Sequence, residues 1–242
     1  MSQRLDQEML QRELVLTRSQ ARMLIKQGDV SCDGKVITKP GQLVEKNTKI
    51  SIKSDQLYVS RGAFKLKAAI QNFNLDFNGL IVADCGASTG GFTQVLLESG
   101  ASKVYALDVG HDQLSPILTQ DQRVISREGV NLKFEIELDE KVDACVADLS
   151  FISLKLVIPT MLSFLKDDGF LVLLLKPQFE AGKERVGKGG LVPEKYLKTI
   201  REELFEYFRE KDLKLIDWTD SPIKGKKGNT EYLVYLKRDF VA

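Results

Sequence analysis

The sequence is short of the residues that most often build metal centres and catalytic triads. Its 242 residues include one histidine, His111, and three cysteines, Cys32, Cys85 and Cys145. A Ser-His-Asp triad or a histidine-rich metal site would depend on His111 alone, and we expect that residue to lie on the surface. The cysteines show no metal-ligand spacing, and Cys85 and Cys145 lie in apolar runs typical of buried free thiols. We therefore expect no metal site and a reducing, cytoplasmic setting.

Long apolar runs are missing as well. The longest uninterrupted one, 170–175, is far shorter than the roughly 20 residues that span a bilayer. The first residues carry no apolar core of a signal peptide, and we expect no membrane partner. The net charge of +1 predicts no class of partner, although residues 1–50 hold nine Lys and Arg against six Asp and Glu. This local excess weakly favours a basic accessory module.

The pattern along the chain predicts two domains. Residues 1–52 form a small α+β module, 53–60 a polar linker, and 61–242 a larger domain. In the module, apolar residues recur at helical spacing over two stretches, and Asp33-Gly34 is a hairpin signal. This arrangement is typical of a small domain with its own core.

The second predicted helix of the module carries a basic stripe. Thr17 or Ser19 can cap this helix, and Arg18, Arg22 and Lys26 follow one another at intervals of one turn. Such a stripe suits contacts with phosphates, which position RNA without reading its sequence. A solvated charged face is the alternative.

The module resembles the S4 RNA-binding domain. The resemblance is carried by Arg4-Leu5-Asp6, by the run from Thr17 to Arg22, and by Lys39-Pro40-Gly41. It implies that the module binds RNA, with these candidate ligands: Arg4, Arg18, Arg22, Lys26 and Lys39.

From residue 80 onward, apolar strand-like runs alternate with helical patterns. Strands are predicted at 80–85, 103–109, 123–126, 142–149, 170–176, 213–219 and 231–238, and helices at 92–98, 154–165 and 193–211. This order predicts an α/β fold in which helices cover both faces of a parallel sheet. Ligands of such sheets bind beyond the carboxyl ends of the strands, and that rim would hold Asp84, Asp108, Asp148 and Lys176.

The first strand of this domain ends in a glycine-rich turn that leads into a helix. The dinucleotide pattern fails at Ser88, and no Gly-Lys-Ser/Thr follows for a P-loop. What remains, Asp-x-Gly-x-x-x-Gly-Gly, resembles the turn of S-adenosylmethionine-dependent methyltransferases, with a Rossmann-like sheet. A turn used only for tight packing is the alternative.

By this resemblance, Asp84 supports the turn or the methionine end of S-adenosylmethionine. The residues expected to line that end are Gly86, Ser88, Gly90, Gly91 and Phe92. Asp108, which ends the second strand, would bind the ribose, unless it is a loop-capping aspartate. Asn131 would approach the adenine, although a simple turn fits that position equally well.

Four further residues form a candidate catalytic group. In chain order they are Lys65, Asp148, Lys176 and Glu231. Their order and contexts resemble the Lys-Asp-Lys-Glu tetrad of FtsJ-like 2′-O-ribose methyltransferases. Together with the S4-like module, the whole chain resembles the TlyA/haemolysin A family.

A ribose hydroxyl must lose its proton as it attacks a methyl group, and the tetrad offers groups for that task. We interpret Lys176 as the general base or the group that stabilises the developing alkoxide, with Lys65 assisting it. Asp148 and Glu231 would orient the lysines. A structural ion-pair cluster is the alternative.

Two glycine-rich basic loops adjoin the tetrad, one after the strand ending at Lys176 and one before Glu231. Flexible basic loops beside a cleft suit an RNA backbone, and solvated loops are the alternative. The candidate RNA ligands in them are Lys183, Arg185, Lys188, Lys224, Lys226 and Lys227.

The resemblance implies an enzyme that methylates the ribose 2′-oxygen of RNA with S-adenosylmethionine. It points to ribosomal RNA or ribosomal particles as partners and to cytidine as the nucleotide. Two other functions are weighed against this one. The family also carries a haemolysin label, which implies membrane activity, and a noncatalytic RNA-binding protein could retain the same fold.

Overall fold

The computed structural model describes residues 2–12, 14–15, 18–53, 58–225 and 227–238. The chain divides into two units, Met1–Arg61 and Gly62–Ala242. The predicted cap Thr17, residues 54–57 of the predicted linker, and Lys226 lie outside the described residues.

The described residues of the first unit form two helices and two small antiparallel sheets. Its elements are β1 (Ser2–Arg4), α1 (Leu5–Gln11), α2 (Arg18–Gln27), β2 (Val30–Cys32), β3 (Lys35–Val36), β4 (Leu43–Glu45) and β5 (Ile50–Ile52). Strand β1 pairs with β4, and β2 lies between β3 and β5. The hairpin prediction at Asp33-Gly34 is confirmed, because both residues have the positive φ that this tight turn requires.

The core of the first unit follows the helical spacing of its apolar residues. Leu5 and Met9 of α1 are buried against Ala21, Leu24 and Ile25 of α2. The side chains on the opposite face of α2 therefore remain available to solvent, and this face carries the basic stripe.

In the second unit, the part of the chain that the structure describes forms a seven-stranded sheet with helices. Its elements are α3 (Gly62–Phe73), β6 (Ile81–Cys85), α4 (Gly91–Glu98), β7 (Lys103–Leu107), α5 (Pro116–Thr119), β8 (Val124–Arg127), β9 (Val142–Ala147), α6 (Leu154–Phe164), β10 (Leu165–Leu175), α7 (Pro177–Glu180), α8 (Glu194–Glu210), β11 (Leu213–Asp220) and β12 (Tyr232–Arg238). The strand order is β11-β12-β10-β9-β6-β7-β8.

Both faces of this sheet are buried. Ala83 and Cys145 pack with Val157 of α6 and Phe208 of α8 in one cluster, and Val82, whose side chain points to the other face, is also fully buried. Cys85 and Cys145 are buried and free, as predicted, and Cys32 is buried and free as well. Within the described ranges, no helix combines the length and the apolar character needed to cross a membrane.

The prediction of a parallel sheet does not hold for the last strand. Five neighbouring strands of the sheet, β10, β9, β6, β7 and β8, are mutually parallel. Strand β12 is antiparallel to both of its neighbours, β10 and β11. The reason lies in the connections. Helix α8 is long enough to serve as a crossover from β10 to β11. Between β11 and β12 the described residues form no helix, and the two strands make an antiparallel pair.

This reversal positions the candidate site. Leu175, the last residue of β10, pairs with Tyr232, the first residue of β12. The residue after β10 and the residue before β12, Lys176 and Glu231, therefore lie at the same edge of the sheet.

Candidate active site

The structure brings the four predicted catalytic residues together. Lys65 lies in the first turn of α3, Asp148 follows β9, Lys176 follows β10, and Glu231 precedes β12. The Nζ atom of Lys65 is 3.2 Å from Oδ2 of Asp148 and 2.8 Å from Oε2 of Glu231. The Nζ atom of Lys176 is 2.6 Å from Oδ1 of Asp148. One carboxylate thus bridges the two ammonium groups.

The group is almost completely removed from solvent and is balanced in charge. The side chains of Lys65, Lys176 and Glu231 are 11%, 7% and 3% exposed, and that of Asp148 is 21% exposed. Burial works to raise the pKa of Asp148, but the attraction of Lys176 and Lys65 outweighs it and holds the pKa below its usual value. Asp148 therefore stays ionised and fixes the lysines in place.

Three residues around Lys176 were missed in the sequence. Lys176 donates to Oγ of Ser150 at 2.9 Å and lies 5.9 Å from the ring centre of Phe179. The ring of Phe179 contacts that of Phe151, with 5.3 Å between centres. Phe151 is 91% exposed and has a φ of +66°, which is unusual for a bulky residue. An exposed aromatic ring on a strained backbone is more typical of functional sites than of cores. No periodicity in the sequence indicates this ring.

The glycine-rich turn contains one buried polar atom with no partner. Asp84 is completely buried, and its Oδ2 accepts a hydrogen bond of 2.6 Å from Oγ1 of Thr93, a residue that the sequence did not single out. Its Oδ1 has no partner in the described part of the chain. Burial raises the pKa of Asp84 to about 7, although hydrogen bonds from Thr93 favour the ionised form. A cationic or hydrogen-bond-donating group of a ligand would satisfy this oxygen.

The glycines of the turn have internal reasons for their identity. Gly86 and Gly90 have φ values of +87° and +94°, and a Cβ at Gly90 would collide with Leu118. Helix α4 begins at Gly91, Phe92 is buried, and Ser88 is exposed with a φ of +48°. The turn is therefore built for tight packing, which the sequence left open as an alternative, and it also presents the start of α4 to the rim.

Asp108 and Asn131 both close loops. Oδ2 of Asp108 accepts from the backbone N–H of Ser88 at 2.7 Å, and its Oδ1 accepts from that of Gly110 at 2.8 Å. Oδ1 of Asn131 accepts from the N–H of Lys133 at 3.0 Å. These contacts match the loop-capping and simple-turn alternatives, and Asp108 links the glycine-rich turn to the end of β7.

Arg185, a cation of the first basic loop, is already engaged within the fold. Arg185 forms a two-pronged ion pair with Glu203, at 2.8 and 2.9 Å, and donates to the carbonyl of Ala181. The other described candidates in these loops are exposed: Lys183, Lys188, Lys224 and Lys227.

Asn229 joins the two loops and was missed in the sequence. It is 5% exposed, its Oδ1 accepts from the N–H of Val192 at 3.0 Å, and its Nδ2 donates to the carbonyl of Gly190 at 2.8 Å. The second loop also packs closely against the tetrad, because a Cβ at Gly225 would lie 2.6 Å from Oε1 of Glu231. The loops and Glu231 thus form one connected assembly.

In the first unit, the predicted RNA ligands fall into two sets. Arg4, Arg18 and Arg22 surround the carboxylate of Asp6, each within 3.2 Å. Lys26 and Lys39 are exposed.

Comparison with known proteins agrees with both units. Residues 58–238 match the FtsJ-like methyltransferase family, and residues 3–50 match the S4 domain. The 16S/23S rRNA (cytidine-2′-O)-methyltransferase TlyA of Mycobacterium tuberculosis is 40% identical over 240 residues, which cover 97% of this chain and 89% of the relative. Hemolysin A of Brachyspira hyodysenteriae is 39% identical over 237 residues, which cover 96% and 99%.

Among solved structures, a hemolysin candidate from Streptococcus thermophilus is 38% identical with a TM-score of 0.76, over 98% of this chain and 88% of that chain. The predicted fold class and family are confirmed: the chain belongs to the FtsJ-like methyltransferases and carries an S4 domain at its N-terminal end.

Proposed function

We propose that this protein transfers a methyl group from S-adenosylmethionine to the 2′-oxygen of a ribose in ribosomal RNA, at a cytidine. The observation that carries the proposal is the pair of buried lysines bridged by Asp148 and completed by Glu231. The name of the relative from Mycobacterium tuberculosis supports the substrate. Because the substrate would be the ribosome, we expect the protein to work in the cytoplasm.

The residues at the rim fit the proposed cofactor. The unpaired, buried Oδ1 of Asp84 suits the ammonium group of the methionine part, which would give this oxygen the partner that it lacks. Gly86, Ser88, Gly90, Gly91 and Phe92 form the turn beside it. Asp108 holds that turn through Ser88, and we propose it as a support for the cofactor loop as well as a ribose ligand. When bound, S-adenosylmethionine supplies an electrophilic methyl group on a sulfonium.

The tetrad would act on the ribose hydroxyl. Lys176 is held between Asp148 and Ser150, so its Nζ is fixed where it can stabilise the negative charge that develops on the attacking oxygen. This position fits both roles proposed for Lys176: the group that stabilises the developing alkoxide, and the general base that takes the hydroxyl proton. Lys65, paired with Asp148 and Glu231, completes the frame.

Substrate RNA would be held by charge and by stacking. The exposed lysines of the two loops and the cations of the first unit suit phosphates. The exposed ring of Phe151, next to Phe179 and Lys176, suits stacking with a base that has left its helix.

The decisive experiment uses ribosomal particles that lack the modification. The protein is incubated with them and with labelled S-adenosylmethionine, and the methyl group is located by mass spectrometry of nuclease fragments. We expect a 2′-O-methyl ribose at a cytidine. The Lys176→Ala variant should transfer no methyl group while it binds S-adenosylmethionine normally in calorimetry. Lys198→Ala, which removes an exposed lysine of α8, should behave as wild type.

Two outcomes would count against the proposal. Wild-type activity in Lys176→Ala would remove the tetrad from the reaction. RNA binding without any binding of S-adenosylmethionine would favour a noncatalytic RNA-binding protein.

A further inference from the structure

A buried carboxylate in the first unit binds more arginines than its own charge requires. Asp6 is completely buried at the start of α1. Its Oδ1 accepts from Nε of Arg4 at 3.0 Å, and its Oδ2 lies 3.0 Å from Nε of Arg18 and 3.2 Å from Nε of Arg22. A single guanidinium would neutralise this carboxylate, so three arginines leave a local excess of two positive charges.

The three arginines remain accessible while they are held. Their side chains are 40%, 43% and 55% exposed for Arg4, Arg18 and Arg22. Asp6 engages Arg18 and Arg22 through Nε, and in the described part of the chain their terminal Nη groups have no partner. A guanidinium offers its donors in a rigid fork that matches the oxygens of a phosphate. Asp6 thus holds these half-exposed guanidinium groups in place while their Nη groups remain available to bind an anion.

The site is assembled from separate segments of the chain. Arg4 ends β1, and Arg18 and Arg22 lie one turn apart on α2. Gly41 allows the approach of Arg4, because a Cβ there would lie 3.1 Å from its Nη1. Burial works to raise the pKa of Asp6, but the hydrogen bonds from Arg4 and Arg18 outweigh it, and the pKa is lowered. Asp6 is therefore ionised at neutral pH and holds all three side chains.

A second buried acid in the same unit shows a purely structural arrangement. Glu8 pairs with one arginine, Arg12, at 2.7 Å. Arg12 also donates to the carbonyls of Thr48, Glu45 and Lys46, so its guanidinium is used within the fold. This one-to-one pair differs from the Asp6 cluster, whose cations have no such internal acceptors among the described residues.

We propose that Asp6 is a positioning residue that gathers Arg4, Arg18 and Arg22 into a single site for one phosphate group of the RNA backbone. This inference rests on the proposed function and deepens it, since it states how the first unit grips its substrate. Asp6 would act through the arginines and would not touch the RNA.

The sign of one substitution tests the inference. Asp6→Asn removes a negative charge, so charge alone predicts equal or tighter binding to any polyanion. Loss of positioning predicts the opposite, and we expect about fivefold weaker binding of fluorescent polyuridylate by the full chain, because each charge-assisted contact to phosphate depends on geometry. The matched control Glu8→Gln should bind as tightly as wild type. Equal or tighter binding by a folded Asp6→Asn variant would overturn the proposal.

Folding is controlled separately. Circular dichroism and thermal unfolding are recorded for each variant, and Asp6→Glu, which keeps the charge, should recover much of the lost affinity. If Asp6→Asn does not fold, the salt dependence of Arg18→Gln/Arg22→Gln decides. If the two arginines share one phosphate, their replacement should reduce the slope of log K against log salt by at most about 0.7. If they bind two separate phosphates, the slope should fall by about 1.4, which would contradict a shared site.

The two proposals fail in different ways. Absence of methyl transfer by the wild-type protein, with weakened polyuridylate binding by Asp6→Asn, would leave the phosphate site standing and remove the enzymatic function. Normal methyl transfer by the wild type, with undiminished polyuridylate binding by Asp6→Asn, would support the enzymatic function and exclude the phosphate site.

Discussion

At the scale of single residues, Asp84 is the group whose chemistry depends most on its place in the fold. It ends a central strand, is completely buried, and has a pKa raised to about 7 from an ordinary value near 3.8. An isolated buried carboxyl keeps its proton because the charged form is poorly solvated. In the free protein, Asp84 therefore takes part in the pH dependence of stability.

We predict that this dependence has a definite sign. Between about pH 4 and pH 7 the folded protein keeps a proton on Asp84 that the unfolded chain has released. The free energy of unfolding then falls as pH rises, by up to about 1.4 kcal/mol per pH unit, and the contribution is lost above the folded pKa. Asp84→Asn should remove this slope, so from pH 5 to pH 7 the variant should gain about 2 kcal/mol relative to wild type. Urea unfolding followed through Trp218, the single tryptophan, measures the difference.

Asp143 provides the control for this measurement. Burial works to raise its pKa, but Lys166 outweighs that effect and the pKa is lowered. The contribution of ionised Asp143 to stability is therefore lost only below pH 5, outside the range from pH 5 to pH 7. The difference between Asp143→Asn and wild type should be the same at pH 5 and pH 7. If the free energy of unfolding changes between pH 5 and pH 7 in the same way for Asp84→Asn and Asp143→Asn, Asp84 is not the titrating group.

Phe151 gives a second prediction at this scale. Because its ring is exposed, Phe151→Ala should change the free energy of unfolding by less than about 0.5 kcal/mol. Loss of a stacked base should lower kcat/KM for ribosomal particles by about tenfold, since stacking contributes about 1–3 kcal/mol per base. Phe151→Trp should retain activity, and calorimetry should show unchanged binding of S-adenosylmethionine. An unaffected kcat/KM in Phe151→Ala would exclude the ring from substrate binding.

The residue types of the tetrad could be predicted from the sequence, but the contacts around it could not. Lys65, Asp148, Lys176 and Glu231 each stand next to an apolar run or a glycine, and their order is informative. Ser150 and Phe151, by contrast, lie in an irregular loop where neither period nor composition says which side chain turns toward Lys176. Only the backbone conformation, including the positive φ of Phe151, settles that.

At the scale of elements, the direction of β12 decides whether the site exists. The alternation of strands and helices predicts every strand of the large sheet to within a few residues, except that β10 starts at Leu165, earlier than expected. It does not predict direction for a strand that follows another without a helix. In a wholly parallel sheet, Glu231 would lie at the edge opposite Lys176. The antiparallel β12 places both at one edge, so the topology and the chemistry depend on each other.

The two loops that flank the tetrad behave as one element because of Asn229. We predict that Asn229→Ala frees the amide of Val192, so that its hydrogen exchange accelerates, and that the KM for ribosomal particles rises severalfold. Loss of two buried hydrogen bonds also lowers the free energy of unfolding by about 1–3 kcal/mol. Asn229→Asp keeps the acceptor for Val192 and loses the donor to Gly190, so hydrogen exchange of the Val192 amide should stay slow in this variant. Fast exchange in both variants, with an unchanged KM, would contradict the coupling of the loops to RNA.

At the scale of the whole molecule, the chain joins a unit matched to RNA binding with a unit matched to methyl transfer. The sequence predicts two domains because the two segments differ in period, charge and motif. The predicted boundary near residue 60 lies close to the division at Arg61–Gly62. The three-arginine cluster could not be predicted, because Asp6 precedes Arg18 and Arg22 by more than three helical turns of sequence and only the packing of α1 on α2 brings them together.

Salt should separate the two activities of the molecule. In the proposed function, the cofactor is bound by short contacts at the glycine-rich turn, so its dissociation constant should change little between 50 and 200 mM salt. In the proposed function, RNA is bound by exposed cations of both units, so the KM for ribosomal particles should rise by about tenfold or more over the same range. Replacing Lys188, Lys224 and Lys227 by Gln should raise KM at low salt and flatten this dependence, because each lost phosphate contact removes released counterions. The matched control, Lys195, Lys198 and Lys211 of the α8 region replaced by Gln, has the same net charge and should keep the wild-type slope. If both triple variants flatten it equally, net charge rather than the loops governs the encounter with RNA, and the loops lose their proposed role.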